Sequence, residues 1–167
     1  QTLHRSGRSL AAELDLHKLG QGVTDAATHL IGAQYGAFYY TSDDTKEWST
    51  LSAFSGTNPE ANPKLTRREI LELIEPIQMS QGCVRIEDVS ADLRDDGAAL
   101  YGALPTGGGV VRSYLAAPVV ARSGEALGAL LFGHTESERF NERHERIVMG
   151  IAAQAAGQAV RFGLYLG

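Results

Sequence analysis

Apolar positions dominate residues 113–133 and predict a β-hairpin there. Residues 113–121 are rich in apolar and β-branched side chains, Ser123 and Gly124 form a turn signal, and residues 126–133 make a second apolar run. Both runs are apolar at nearly every position, so other elements should cover both faces of the hairpin. We therefore expect the hairpin at the centre of an antiparallel sheet, with Gly128 packed closely against a neighbour.

Two amphipathic helices are predicted, one before and one after the strands. The first runs from Asp15 to a left-handed cap at Gly32. Its apolar stripe consists of Leu16, Leu19, Val23, Ala26, Ala27, Leu30 and Ile31. The last helix is capped by Asn141, and its stripe consists of Ile147, Val148, Ile151, Ala152, Ala155, Ala159, Val160 and Phe162. Its opposite side carries three small residues that would let another helix come close, namely Gly150, Ala153 and Gly157.

The middle of the chain predicts further strands and a short helix. Residues 36–41 and 48–54 form a predicted antiparallel strand pair around a turn at 42–44. A capping box is predicted at the start of the helix, with Thr66 as the cap and the Glu69 side chain reaching back to the Thr66 backbone. Pro76 is expected to kink or end the helix. The side chains that this helix should bury are Ile70, Leu73, Ile74 and Ile77.

A short strand at 83–86 and a glycine-rich segment at 92–109 complete the pattern. The order is helix, two strands, helix, strand, glycine-rich segment, two strands, helix. Runs of antiparallel strands with helices at both ends indicate an α+β sandwich. With 167 residues and no low-complexity linker, the chain is most simply one domain.

Composition excludes several functional classes. The net charge is -5 and no block of Lys or Arg is present, which argues against nucleic acid as a partner. A single cysteine permits no intrachain disulfide and suits a reducing cytoplasm. No apolar run approaches the roughly 20 residues that span a bilayer, so no direct membrane contact is expected. The chain starts at Gln1 without Met, and we expect a fragment of a longer protein.

Residues able to carry chemistry are scattered along the chain, and structural roles are favoured for each. Cys83 is the only thiol, and the five histidines make no metal pair at helical or hairpin spacing. A haem ligand at His134 is a minor alternative to a structural histidine. The carboxylates Asp92, Asp95 and Asp96 lie in the glycine-rich segment, where a solvated turn is favoured over a metal or acid–base site. The sequence therefore predicts no catalytic residue, no metal site and no enzyme activity in this domain.

The sequence resembles the GAF domain family in several segments that occur in the family's order. The hairpin has the family's pattern in Leu115-Ala116-Ala117-Pro118, Gly124 and Gly128-Ala129-Leu130. Further similar segments lie at 13–16, 82–89 and 152–156, with Phe140 before the last helix. The resemblance implies a GAF-like, PAS-related fold with a central antiparallel sheet. It implies terminal helices packed on one face of that sheet and a ligand-pocket segment on the other.

The resemblance also implies a function and domain limits. GAF domains are regulatory modules that bind small molecules or pair subunits, and this sequence is most similar to those of bacterial sensor histidine kinases. The expected domain spans residues 15–162, after a tail or helix start at 1–14 and before a tail at 163–167 that leads to a missing output domain. We expect a homodimer formed through the terminal helices. The alternative is a ligand-free dimerisation module of a signalling phosphatase or transcription regulator.

The family's ligand position is the space between the sheet and the segment that crosses it, here residues 72–114. The residues expected to line such a site are Phe54, Met79, Tyr101, Leu104, Arg112, Ser113 and Tyr114. The alternative is that these residues only fill the core or coat the surface, and the sequence leaves both interpretations open. The ligand is an unknown small molecule, and no cofactor is assigned.

Three ligand or reaction types known in the family are disfavoured by specific residues. The string N-K-x-x-x-F-x-x-x-D-E of cyclic-nucleotide-binding members is absent. Bilin attachment usually places a histidine beside the cysteine, whereas Cys83 lies between Gly82 and Val84. Reduction of methionine sulfoxide requires an attacking and a resolving thiol, and the chain has one cysteine.

Residues 92–109 should exchange their amide hydrogens faster than the hairpin, because glycine and short polar side chains give this segment few apolar contacts. Hydrogen exchange followed by mass spectrometry measures both regions in one experiment. A bound ligand should slow exchange in this segment. Protection equal to that of the hairpin in the free protein would contradict the expectation.

Overall fold

The computed structural model describes residues 10–41, 50–56, 65–79, 82–89, 104 and 110–161. These ranges contain three helices and five strands. In chain order they are α1 (Leu10–Leu30), β1 (Tyr35–Thr41), β2 (Thr50–Ser55), α2 (Arg67–Met79), β3 (Val84–Ile86), β4 (Ser113–Val120), β5 (Ala126–His134) and α3 (Glu142–Arg161).

The five strands form one antiparallel sheet in the order β2-β1-β5-β4-β3. The predicted hairpin is β4 and β5, joined through a turn in which Gly124 has a φ of 95°. The register runs from Ser113 opposite His134 to Val119 opposite Gly128, with a shift after Val119. Because β5 pairs with both β1 and β4, the prediction of a central hairpin is confirmed.

The sheet separates two apolar clusters. One cluster lies on the terminal-helix face, where α1 packs on β1 and β2, and α3 packs on β4. Its buried members include Leu16, Ala27, Phe38, Tyr40, Leu115, Leu130, Phe132, Val148 and Ala152. The other cluster lies on the α2 face, and its buried members include Tyr35, Tyr39, Ile70, Leu73, Ile74, Ile77, Tyr114 and Leu131. This is the two-sided α+β arrangement that the sequence predicted.

The first helix begins earlier than predicted and ends at the predicted cap. It starts at Leu10, five positions before Asp15. At its end Gly32 has a φ of 68°, which a glycine adopts without strain. The amide of Gly32 donates to the carbonyl oxygen of His29 over 3.2 Å, and that of Ala33 donates to Thr28 over 3.0 Å. This pair of bonds is a Schellman motif, which satisfies the last carbonyl groups of the helix.

The α2 helix confirms the predicted capping box and does not end at its proline. The amide of Thr66 donates to the Glu69 carboxylate over 2.9 Å, and the amide of Glu69 donates to the Thr66 hydroxyl over 3.1 Å. All four predicted apolar side chains are buried. Pro76 does not end the helix, which continues to Met79. The buried Ile77 immediately after the proline anchors the last turn on the sheet, which offsets the backbone bond that proline cannot donate.

The α3 helix confirms its predicted cap and both of its predicted sides. The amide of His144 donates to the Asn141 side-chain oxygen over 3.1 Å. Val148, Ala152 and Ala155 are buried against the sheet, with Ile147 and Ile151 partly buried beside them. The three small residues predicted on the other side, Gly150, Ala153 and Gly157, are exposed.

Some predicted features lie outside the described residues. They are the turn at 42–44, the start of the second strand at Trp48, most of the loop at 56–63, the glycine-rich segment apart from Leu104, Phe162 and the tails at 1–9 and 163–167. The side chains of Ala159 and Val160 lie outside them as well.

Replacing Gly128 with valine should lower the free energy of unfolding by about 1–3 kcal/mol through overpacking. A Cβ at this position would overlap the backbone oxygen of Tyr39 and lie 2.7 Å from the Tyr40 Cβ. Gly150→Ala is the matched control, because a Cβ there meets nothing within 4 Å, and it should stabilise the helix by up to about 1 kcal/mol. Urea denaturation measures both, and wild-type stability of the Gly128 variant would contradict the packing described.

Candidate functional site

Three of the seven predicted site residues come together on the α2 face. Leu104 and Tyr114 are buried in its apolar cluster, and the half-buried Phe54 packs against the same cluster. The ring of Phe54 meets that of Tyr39 edge to face, with 5.6 Å between centroids. A largely apolar wall with a few polar groups is the usual composition of a small-molecule site, so this face is the candidate site.

A recess above Gly133 receives the side chain of Leu104. Strand pairing places Gly133 between Tyr35 of β1 and Tyr114 of β4. A Cβ on Gly133 would overlap the Leu104 side chain and lie 2.9 Å from Val111 Cγ1. The absence of a side chain at Gly133 therefore makes room for Leu104, which anchors its segment of the chain on the sheet.

Two buried phenols supply polar groups on this face. Tyr39 and Tyr114 are 1% and 5% exposed. Burial raises the pKa of Tyr114 to about 12, and burial likewise raises the pKa of Tyr39 above its usual range. Both phenols therefore stay protonated at neutral pH. They therefore cannot serve as general bases there.

A groove of about 590 Å³ runs beside α2 at the edge of this face. Leu71, Ile74 and Ala126 supply its apolar surface, while Glu72 and Glu75 supply carboxylates. At the same end of the sheet, the Gln78 amide donates to the carbonyl oxygen of Gly124 over 3.2 Å. This bond links the last turn of α2 to the hairpin turn.

Three of the other predicted residues lie elsewhere, and Tyr101 lies outside the described residues. Ser113 is on the terminal-helix side, where its hydroxyl donates to the Glu136 carbonyl oxygen over 2.6 Å. The prediction grouped it with Tyr114, but successive strand residues point to opposite faces. Met79 is 74% exposed at the end of α2 and forms no apolar wall. Arg112 is half exposed and pairs with Asp88 over 2.7 Å.

Cys83 is also on the terminal-helix face, away from the candidate site. Its sulfur lies 3.8 Å from the Glu145 carbonyl oxygen of α3. Burial, and then the Glu145 carboxylate, raise the pKa of this thiol to about 12, against the opposing effect of Arg85. The thiol is therefore protonated at neutral pH and is a weak nucleophile.

His134, at the end of β5, and His144, in the first turn of α3, both accept hydrogen bonds from backbone amides. His134 Nδ1 accepts the amide hydrogen of Glu136 over 3.0 Å, and His144 Nδ1 accepts that of Asn141 over 3.2 Å. The second contact makes Asn141 and His144 a reciprocal capping box. The spacing Asn-x-x-His could have indicated this box, whereas Asn141 alone was predicted as a cap.

Within the part of the chain that the structure describes, no three His, Cys, Asp or Glu side chains are grouped so as to hold a metal ion. None of the helices in the described ranges has the length and hydropathy needed to cross a membrane.

Comparison with known proteins identifies the fold. The GAF domain family model matches residues 13–157, while the search of curated proteins found no match. A similar solved structure is the GAF domain region of a putative membrane protein from Geobacter sulfurreducens PCA, at 18% identity and a TM-score of 0.66 over 91% of this chain and 97% of that chain.

Two other similar structures come from different kinds of protein. The GAF domain of a phosphoenolpyruvate-protein phosphotransferase from Coxiella burnetii has 20% identity and a TM-score of 0.62 over 89% of this chain and 86% of that chain. The blue-light absorbing form of the Thermosynechococcus elongatus PixJ GAF domain has 17% identity and a TM-score of 0.63 over 93% of this chain and 90% of that chain. At these identities the likeness shows the shared fold.

Replacing Leu104 with alanine should lower the free energy of unfolding by about 2–5 kcal/mol, because it empties the recess above Gly133. Met79→Ala is the control, since this exposed side chain should change stability by no more than about 0.5 kcal/mol. Chemical denaturation measures both variants. Equal effects of the two substitutions would show that Leu104 is not seated in the recess.

Proposed function

The chain belongs to the GAF domain family, and on that premise we propose that it is the small-molecule-sensing module of a bacterial two-component sensor histidine kinase. GAF domains are regulatory modules of signalling proteins, and the finer assignment to a kinase follows the overall similarity of the sequence to the modules of such kinases. We further propose a cytoplasmic location. The solved relatives come from several kinds of protein and favour no single parent. The assignment to a kinase is therefore supported only by the similarity of the sequence to the modules of such kinases.

The observation that carries the sensing proposal is the α2 face, where an apolar wall surrounds two buried phenols. A small, mostly apolar molecule fits a wall of this composition. Leu104 is the side chain that such a molecule would meet above Gly133. The mechanism is a population shift, in which the ligand favours one position of the segment carrying Leu104 and the terminal helices pass the change to an output domain.

Native mass spectrometry of the gently purified protein tests this proposal. The native mass should exceed the mass after acid denaturation by that of one small molecule. Tyr114→Phe keeps the shape of the wall but removes one polar group from it, so it should retain less of that molecule. Tyr40→Phe is the matched control, because the Tyr40 phenol lies on the terminal-helix face and donates to the Leu16 carbonyl oxygen over 2.7 Å. An absent mass difference, or equal loss in both variants, would contradict the proposal.

The second candidate is a ligand-free dimerisation module of a signalling phosphatase or transcription regulator. One observation favours it, namely that Leu104 already fills the recess above Gly133 with a side chain of the protein itself. On this interpretation the α2 face is only core. The native mass then equals the denatured mass, and the dimer is the whole function of the module.

Both candidates include a homodimer formed through α1 and α3. A groove of about 440 Å³ runs between these helices, and Val23, Ala26, Leu30 and Ile151 are among its lining residues. The exposed large apolar side chains Leu14 and Leu30 of α1 and Met149 of α3 lie on the same two helices. We propose that a second copy of the chain covers this surface, with the small residues around Ala153 allowing its helices to come close.

Ala153→Glu should convert the dimer to a monomer, because it places an unpaired charge in the interface. The fold should survive, since Ala153 is exposed in the single chain. Met79→Glu is the control that adds the same charge on the side of α2, and it should leave the dimer intact. Light scattering measures the masses. An unchanged dimer in the Ala153 variant would reject this interface, and a monomeric wild type would reject self-association.

A further inference from the structure

The connection between β5 and α3 is flanked by two imidazoles that accept hydrogen bonds from its backbone amides. His134, the last residue of β5, accepts the amide hydrogen of Glu136 at Nδ1 over 3.0 Å. His144, in the first turn of α3, accepts that of Asn141 at Nδ1 over 3.2 Å, and its own amide donates to the Asn141 side chain over 3.1 Å. The second arrangement is a capping box in which histidine replaces the usual Glu or Gln.

These contacts require both imidazoles to be neutral. A backbone amide can only donate, so each Nδ1 must be without a hydrogen and the remaining ring hydrogen must be on Nε2. Protonation places a hydrogen on Nδ1 and removes the acceptor. At His144 it also places a positive charge in the first turn of a helix, where the helix dipole disfavours cations.

The charged neighbours of the two rings act mainly in the same direction. Burial lowers the pKa of His134, and Arg139 lowers it further against the opposing effect of Glu136. Burial also lowers the pKa of His144, followed by the effects of Arg143 and Arg139. Other charged or titratable side chains on the surrounding elements include His29 of α1, Arg85, Glu87 and Asp88 at β3, Arg112 at β4, Glu138 of the connection, and Glu142, Glu145 and Arg146 of α3. Within this set, Arg85 pairs with Glu145 and Arg112 pairs with Asp88.

The connection also ties α3 to three strands. Its Thr135 donates to the Gln34 side chain just before β1, and the Glu136 carbonyl oxygen accepts the hydroxyl of Ser113 in β4. The amide of Glu138 donates to the Glu87 carbonyl oxygen after β3 over 2.7 Å, with Glu138 held at a φ of 58°. A change in this connection therefore reaches the start of α3 and the end of the sheet together.

We propose that the β5–α3 connection is a proton-sensitive joint, in which protonation of His134 and His144 breaks two backbone hydrogen bonds and loosens the start of α3. The neutral rings favour the folded joint, so its full stability is present above the ordinary histidine pKa of 6.5. That stability is lost as the pH falls below this value and through the lowered pKa values of the folded protein. An effect of protonation on the dimer rests on the proposed role of α3 in dimerisation, whereas the loss of the two backbone hydrogen bonds does not depend on that role.

Nuclear magnetic resonance of the intact chain tests the joint directly. At about pH 7.5, ¹⁵N spectra should show both rings with the hydrogen on Nε2, and the amides of Glu136 and Asn141 should be protected from exchange. As the pH is lowered from about 7.5, both amides should lose protection in step with the titration of the rings. Rings carrying the hydrogen on Nδ1 at the higher pH, or amide protection that does not follow the ring titration, would overturn the proposal.

A pair of substitutions that preserve the bonds provides the second arm. His144→Gln and His134→Asn supply side-chain oxygens that can accept the same amide hydrogens but do not titrate. On acidification over the same range, the melting temperature of the double variant should fall less than that of the wild type. His17→Gln is the control, because His17 is exposed on α1, and it should keep the wild-type pH dependence. Equal pH dependence in the double variant and the wild type would overturn the proposal.

Discussion

Strand β5 has no face toward water, and the rest of the structure depends on this constraint. Its seven interior residues are all buried, and it is paired on both edges. Gly128 allows the backbone of β1 to come close, since a Cβ there would overlap the Tyr39 oxygen. A glycine acts in the same way where α1 meets β1, because a Cβ on Gly36 would overlap the hydroxyl of Thr28. Apolar layers on both faces, one from α1 and α3 and one from α2, are required to cover such a strand.

The two layers give the two faces different roles. The α2 face holds the phenols and the recess occupied by Leu104, while the other face carries the long helices whose outer surfaces reach solvent. A molecule bound on the α2 face would act on the helices only through the sheet or through the connections at its ends. The β5–α3 connection is one such route, because it contacts the end of β3, the starts of β4 and β1, and the first turn of α3.

Local signals in the sequence were sufficient for most of the fold. The hairpin, the capping box at Thr66 and the cap at Gly32 are set by neighbouring residues, and all three were predicted. The site was harder to predict, because its composition depends on which face of the sheet each side chain points to. Ser113 and Tyr114 were grouped together although strand alternation separates them, and the recess at Gly133 depends on Leu104, distant in sequence. The persistence of α2 beyond Pro76 depends on tertiary burial of Ile77, which local propensity does not contain.

Native-state hydrogen exchange at low denaturant tests the central role of β5 most directly. If this strand is the element on which both layers depend, the amides of Leu130 and Leu131 should open only when the whole domain unfolds. Their free energy of opening should then equal the global free energy of unfolding measured by denaturation. A lower opening free energy for β5, with β1 and β2 still protected, would contradict the account.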